Sequence, residues 1–199
     1  MVIEYPEGAT PLDTDELTGL KYPHVETRAE LDQLEQQNIQ QGYNWLDRQR
    51  KHKDFLTEYF ILDLHKQLFG SVWTWAGSFR HTNKNIGVDH SNIGVELRKL
   101  LDDAKYWVEH ATYSREEFAA RFHHRLVQIH PFPNGNGRHG RIMTDVILEK
   151  LMNMAPIVWD TNALNDDGEH RQKYIDALHA ADKNDYQALI NFVSTEFEK

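Results

Sequence analysis

The chain has 199 residues, a formal net charge of −9, no cysteine and no apolar run near the ~20 residues that a membrane-crossing helix needs. This rules out a disulfide scaffold and thiolate metal centres, and it disfavours direct nucleic-acid binding, whose affinity comes from lysine and arginine neutralising phosphates. One domain with a substantial core is expected, and Met1-Val2-Ile3-Glu4-Tyr5-Pro6 lacks the basic and apolar regions of a signal peptide, so a cytoplasmic protein without membrane contact is expected.

Helical patterning starts at Thr27-Arg28-Ala29-Glu30, which has capping-box spacing, and runs to about Asp47. A second helix is expected from about Asp54 to Phe69, with Phe55, Tyr59, Leu62 and Leu68 near one face and Gly70 ending it. The segment from Trp75 to Gly87 interrupts the helices and reads as a short β-hairpin, with Phe79 and Ile86 as strand edges and Asn83, Lys84 and Asn85 near the tip. A helix from about Asn92 to His110 follows. Ser114-Arg115-Glu116-Glu117 then supplies a second capping box for a helix that buries Phe118, Phe122, Leu126 and Ile129 and delivers His130 at its end. Another helix, about Gly137 to Leu151, turns Ile142, Val146, Ile147 and Leu151 inward before Pro156. The last two are expected at about Asp167 to Ala181 and Asp185 to Phe197. The fold class is all-α, roughly seven helices with one small hairpin.

The most informative stretch is His130-Pro131-Phe132-Pro133-Asn134-Gly135-Asn136-Gly137-Arg138-His139-Gly140-Arg141. A histidine exchanges a proton near neutral pH, and the glycines free the backbone for an anion-binding turn. A helix starting after that turn adds unpaired N–H groups and a positive dipole end. Arg138 and Arg141 would share a face of it and hold two phosphates. Arg121 and Arg125 add to a cationic region within an acidic chain, which suits a small anion better than a long polyanion. His123, His124, His130 and His139 do not read as a zinc site, because adjacent histidines on a helix diverge by about 100°.

This stretch resembles the signature of the Fic/Doc family, His-x-Phe-x-Asp/Glu-Gly-Asn-Gly-Arg-x-x-Arg, at every fixed position except Asn134, and other parts of the chain are similar to the Fic-type group called mobile mystery protein B. The resemblance implies a Fic domain over residues 27–199, after an N-terminal segment, 1–26. It implies transfer of AMP from ATP, with Mg²⁺, to a Ser, Thr or Tyr hydroxyl of a target protein. His130 would be the general base, Gly135, Asn136 and Gly137 the anion hole, and Arg138 and Arg141 the holders of the distal phosphates. The hairpin would be a flap that pins the target through Asn83, Lys84 and Asn85. Arg171 and Tyr174 resemble the late helix that lines the base pocket, although a tyrosine at helical spacing equally reads as core. Asn136 also reads as a helix cap.

Asn134 stands where nucleotidyl-transferring relatives carry the metal-binding carboxylate and the kinase branch a lysine. Its neutral carbonyl is a weaker ligand for a hard cation. Two other readings therefore stay open, a nucleotide-binding pseudoenzyme and a Doc-like kinase toxin. Many relatives also carry an inhibitory Ser/Thr-x-x-x-Glu-Gly/Asn helix whose glutamate pairs with the second signature arginine. Thr14-Asp15-Glu16-Leu17-Thr18-Gly19 has that shape with Thr18 in place of the glutamate, which predicts weak inhibition, and Ser194-Thr195-Glu196-Phe197-Glu198 fits part of it. A small helix-turn-helix protein is the partner that the mobile mystery resemblance suggests.

Overall fold

Thr27 caps a helix as its spacing predicts. In the computed structural model, which describes residues 14–49, 54–157, 159 and 168–195, its hydroxyl accepts the Glu30 N–H at 3.3 Å while the Glu30 carboxylate accepts the Thr27 N–H at 3.0 Å. The elements are α1 (Thr14–Leu17), α2 (Arg28–Asp47), α3 (Glu58–Phe69), α4 (Ile93–Glu109), α5 (Arg115–Ile129), α6 (Asn136–Lys150), α7 (Glu169–Ala181) and α8 (Gln187–Thr195), with a 3₁₀ turn at His90–Asn92. The all-α expectation of about seven substantial helices therefore describes the fold. Asp160 to Asp167 and Glu196 to Lys199, where parts of the last two expected helices and of the C-terminal Ser-x-x-x-Glu pattern fall, lie outside the described residues.

Helix α5 is central. It packs on α4, α6 and α8; α6 reaches α3, α3 rests on α2 and α4, and α7 lies on α8. Phe60, Ile61, Leu64 and Leu68 of α3, Phe118, Phe122, Leu126 and Ile129 of α5, and Ile142, Val146 and Ile147 of α6 fill the space between them. Full burial of each such side chain contributes about 1.5–3 kcal/mol, so the apolar stripes on either side of the signature clamp its two flanking helices together.

Several local expectations are corrected. Helix α3 begins at Glu58 rather than Asp54, because Thr57 takes the cap position and accepts the Phe60 N–H at 3.2 Å, while Asp54 turns back onto the Leu56 N–H at 3.2 Å. The buried stripe is consequently set by Phe60, Leu64 and Leu68, and Tyr59 is 71% exposed. At Ser114 only half of the capping box forms: its hydroxyl accepts the Glu117 N–H at 3.3 Å, but the Glu117 carboxylate turns to Arg121 at 2.9 Å.

The expected hairpin is the larger correction. Among the described residues no strand forms, only an isolated antiparallel bridge between Leu20 and Trp73, and residues 74–89 run as turns and bends. A ladder needs backbone carbonyls facing a partner strand. Here the Arg80 guanidinium takes the carbonyls of Thr82 and Val88 itself, and the Asn83 side chain bridges Asp89 and His90.

Candidate active site

His130 is the residue at which α5 stops. It adopts the left-handed conformation, φ 53° and ψ 59°, with its N–H still on the Leu126 carbonyl at 3.2 Å, and Pro131 prevents the helix from resuming. A non-glycine residue in this region is strained by roughly 1–2 kcal/mol, so surrounding contacts must hold it. Arg80 supplies them. Its Nε donates to the His130 carbonyl at 2.7 Å, Nη1 to Thr82 at 2.7 Å, Nη2 to Val88 and Ile129, and its backbone N–H to Pro131 at 2.9 Å. A buried cation on the last carbonyls of α5 also meets the negative end of the helix dipole. Gly87, φ +103°, passes so close that a Cβ there would lie 2.8 Å from both the His130 Cβ and Arg80 Nη2. Burial, then the Arg80 charge, lower the His130 pKa to about 4, with a smaller push from Lys84. The imidazole is therefore neutral at physiological pH and able to accept a proton.

The turn that follows closes on itself. The Asn136 side chain accepts the Phe132 N–H at 2.9 Å and donates to the Phe132 carbonyl at 2.8 Å, so it staples the loop and does not cap α6. Gly135 is the residue before the helix, at φ +78°, where a Cβ would strike the Phe69 ring at 2.7 Å. From Asn136 the chain is helical, and the first N–H groups of α6 have no carbonyl one turn back inside the helix. A Cβ on Gly137 would meet only Arg141, at 3.7 Å, which leaves the approach to those amides open. Asn134 bends its side-chain oxygen onto the Gly135 N–H. Its backbone carbonyl faces His65 Nε2 at 3.1 Å, and His65 Nδ1 accepts the Gly77 N–H at 3.0 Å.

The two signature arginines are held differently. Arg138 lies over the Phe69 ring and donates at 2.6 Å to Glu35, a buried carboxylate of α2 that also accepts from Trp73 Nε1 at 2.7 Å. Arg141 is buried against the Tyr174 hydroxyl, which meets His123 Nε2 at 2.7 Å. Tyr174 is thus a core residue that positions Arg141, with its ring against Phe192, and Arg171 lies one turn before it, half-buried. One turn after Arg141, Asp145 accepts Ile157 N–H and Trp159 Nε1, and burial pushes its pKa up to about 7. Arg121 and Arg125 do not join this cationic region, because they pair with Glu117 and Glu96.

The flap-like segment brings Lys84 into an ion pair with Glu16 of α1, Asn83 faces Asp89, and Asn85 is exposed. Thr14 and Thr18 are exposed, and Gly19 is small because Trp75 lies on it: a Cβ would be 2.4 Å from the indole. The carboxylate that reaches a signature arginine comes from Glu35, in the buried Leu31–Glu35–Asn38 stripe of α2. That charged residue in an apolar stripe was the sequence signal for it. Arg80 and His65 carry no such signal, since the contacts that tie them to the signature, with His130 and Asn134, lie far away in the chain.

The donor set at position 134 does not make a protein-held magnesium site. It is one neutral amide oxygen already engaged with Gly135, and no group of three His, Asp or Glu that could hold a metal occurs among the described residues. A magnesium ion here would take its ligands from phosphate oxygens and water. No helix among the described residues is long and apolar enough to cross a membrane.

The Fic/DOC family model matches residues 55–148. The protein adenylyltransferase Fic of Aedes aegypti is 28% identical over 145 residues, 71% of this chain but 28% of that protein, so the chain spans little more than a quarter of the curated relative. The structure of Fic-1 from C. elegans superposes with a TM-score of 0.69 at 22% identity, covering 90% of this chain and 52% of that one. BepC of Bartonella tribocorum, solved with bound AMPPNP, gives 0.63 at 19% identity over 94% and 92%. Over residues 55–148 the chain is similar to the Fic/DOC family, and its helices are arranged in the Fic fold of these structures.

Proposed function

We propose that this chain is a protein adenylyltransferase, moving AMP from ATP to a Ser, Thr or Tyr hydroxyl of a target protein in the cytoplasm. The observation that carries the reading is a neutral, immobilised His130 at the mouth of a helix N-terminus whose first two turns bear Arg138 and Arg141. His130 removes the proton from the target hydroxyl as its oxygen bonds to the α-phosphorus. The bond from that phosphorus to the β-phosphate oxygen breaks, and pyrophosphate leaves. The Gly135, Asn136 and Gly137 amides meet the charge that builds on the α-phosphate, and the arginines keep the departing phosphates in line. The His130 proton then passes to solvent or product. Bound triphosphate brings negative charge beside the imidazole and raises its affinity for that proton.

Nucleotide binding with weak catalysis is the second reading, and it has its own observation: Asn134 lacks a carboxylate and Glu35 already occupies Arg138. Incubating the protein with labelled ATP and lysate, beside His130→Ala, separates the two. The transferase reading expects labelled protein that disappears, by a hundredfold or more, in His130→Ala while calorimetric ATP binding persists. ATP binding with no labelling by the native chain would favour the second reading, and transfer of phosphate alone would point to kinase chemistry.

A further inference from the structure

We propose that His65 is a positioning residue which, by donating from Nε2 to the Asn134 carbonyl, turns the Asn134–Gly135 peptide so that the Gly135 N–H faces the phosphate cradle. The tautomer follows from the partners. Gly77 N–H donates to Nδ1 at 3.0 Å, so Nδ1 is the acceptor and the ring proton sits on Nε2, 3.1 Å from the Asn134 oxygen. Complete burial keeps the ring neutral, with one donor and one acceptor. Its plane is fixed by stacking on Phe132, with centroids 3.6 Å apart at 14°.

The C=O and N–H of one trans peptide point in opposite directions, and no cis bond occurs among the described residues. With the Asn134 carbonyl drawn toward buried His65, the Gly135 N–H points away from the core. An oxygen already lies on that N–H, the Asn134 side-chain carbonyl, which marks where a phosphate oxygen would sit once it displaced the amide. Apart from that side-chain bond nothing local holds this peptide, because Gly135, at φ +78°, tolerates the rotated alternative as readily. Rotation would replace a donor with a carbonyl that repels phosphate. By accepting from Gly77 on its other nitrogen, His65 also ties the root of the flap-like segment to the same turn.

The assignment rests on reading this turn as the phosphate cradle, so its test has two arms. His65→Phe keeps a stacking ring without the hydrogen bonds, and His65→Gln keeps one donor and one acceptor. In adenylyl transfer, His65→Phe should lose about a hundredfold in kcat, the scale of removing one anion-hole donor, and His65→Gln should recover to within a few fold. In glycine-¹⁵N-labelled protein titrated with inorganic pyrophosphate, the Gly135 amide should respond in the native chain and His65→Gln but not in His65→Phe. Wild-type kcat in His65→Phe, equal losses in both variants, or an unchanged Gly135 response in His65→Phe would overturn the proposal. If His65→Phe does not fold, His65→Gln decides alone: a near-native rate and Gly135 response support it, and a hundredfold loss overturns it. A native chain that shows the Gly135 pattern but transfers no AMP would end the transferase reading and leave the His65 assignment standing.

Discussion

The signature turn and the flap-like segment face each other across His130, and they differ in how much of their order is local. The turn closes locally: Asn136 bonds Phe132 in both directions, four residues back, and Gly135 runs directly into α6. The flap-like segment has no ladder of its own; besides its internal Arg80 and Asn83 bonds it is tied to other elements, by Arg80 on the carbonyls at the end of α5, by His65 at Gly77 and by Glu16 at Lys84. A motif made of near neighbours announces itself in a sequence. A loop whose order depends on ties to other helices does not, and its turn-rich composition alone suggested a hairpin that does not form.

The sharpest way to break this contrast is Arg80→Met. It leaves the carbonyls of Thr82, Val88 and His130 without their donor and should cost about 3 kcal/mol or more of folding stability, read by chemical denaturation, with loss of transfer. Arg80→Lys should recover little of it, since an ammonium lacks the planar fork. A stable, active Arg80→Met would show that the segment is ordered by its own residues.

The next effect tests the burial of four histidines in and around the site. Burial depresses His65 well below 6.5, His123 to about 3, and His130 and His139 to about 4. Their stability contribution is fully present above pH 6.5 and is lost as pH falls toward 4, because the unfolded chain binds protons that the folded one refuses. Asp145, raised to about 7, has the opposite sign and offsets one of the four. Thermal unfolding should therefore show stability falling as pH drops below 6.5. A flat profile from pH 6.5 to 5 would contradict that burial.

Two smaller changes sharpen the chemistry of the turn itself. Asn134→Asp should make transfer rise with added magnesium and fall on chelation more steeply than in the native chain, since a carboxylate is the harder ligand. Glu35→Gln removes the negative charge beside Arg138 and should tighten ATP binding a few fold by calorimetry. Weaker binding would instead make Glu35 a residue that aims Arg138.

Much of the fold was legible because helix signals are local. Thr27 with Glu30 marked α2, and Phe118, Phe122, Leu126 and Ile129 marked the buried side of α5. The start of α3 was misplaced because Asp54 and Thr57 are both competent caps, and only packing of Phe55 and Phe60 chooses between them. Tyr174 shows the same limit within the site. Helical spacing permitted a base-stacking tyrosine or a core one, and the structure buries it against His123 and Arg141.

What the sequence by itself determined is the chemical inventory at the turn: a titratable base, glycines that permit the bend, two arginines on a helix start, and an amide where relatives carry a carboxylate. These lie within a dozen residues, and their geometry follows from backbone preferences and helix periodicity. Only the tertiary structure decided which proton state His130 adopts, which carboxylate meets Arg138 and what turns the Gly135 amide, because burial and contacts with Arg80, Glu35 and His65 arise only when distant helices pack together.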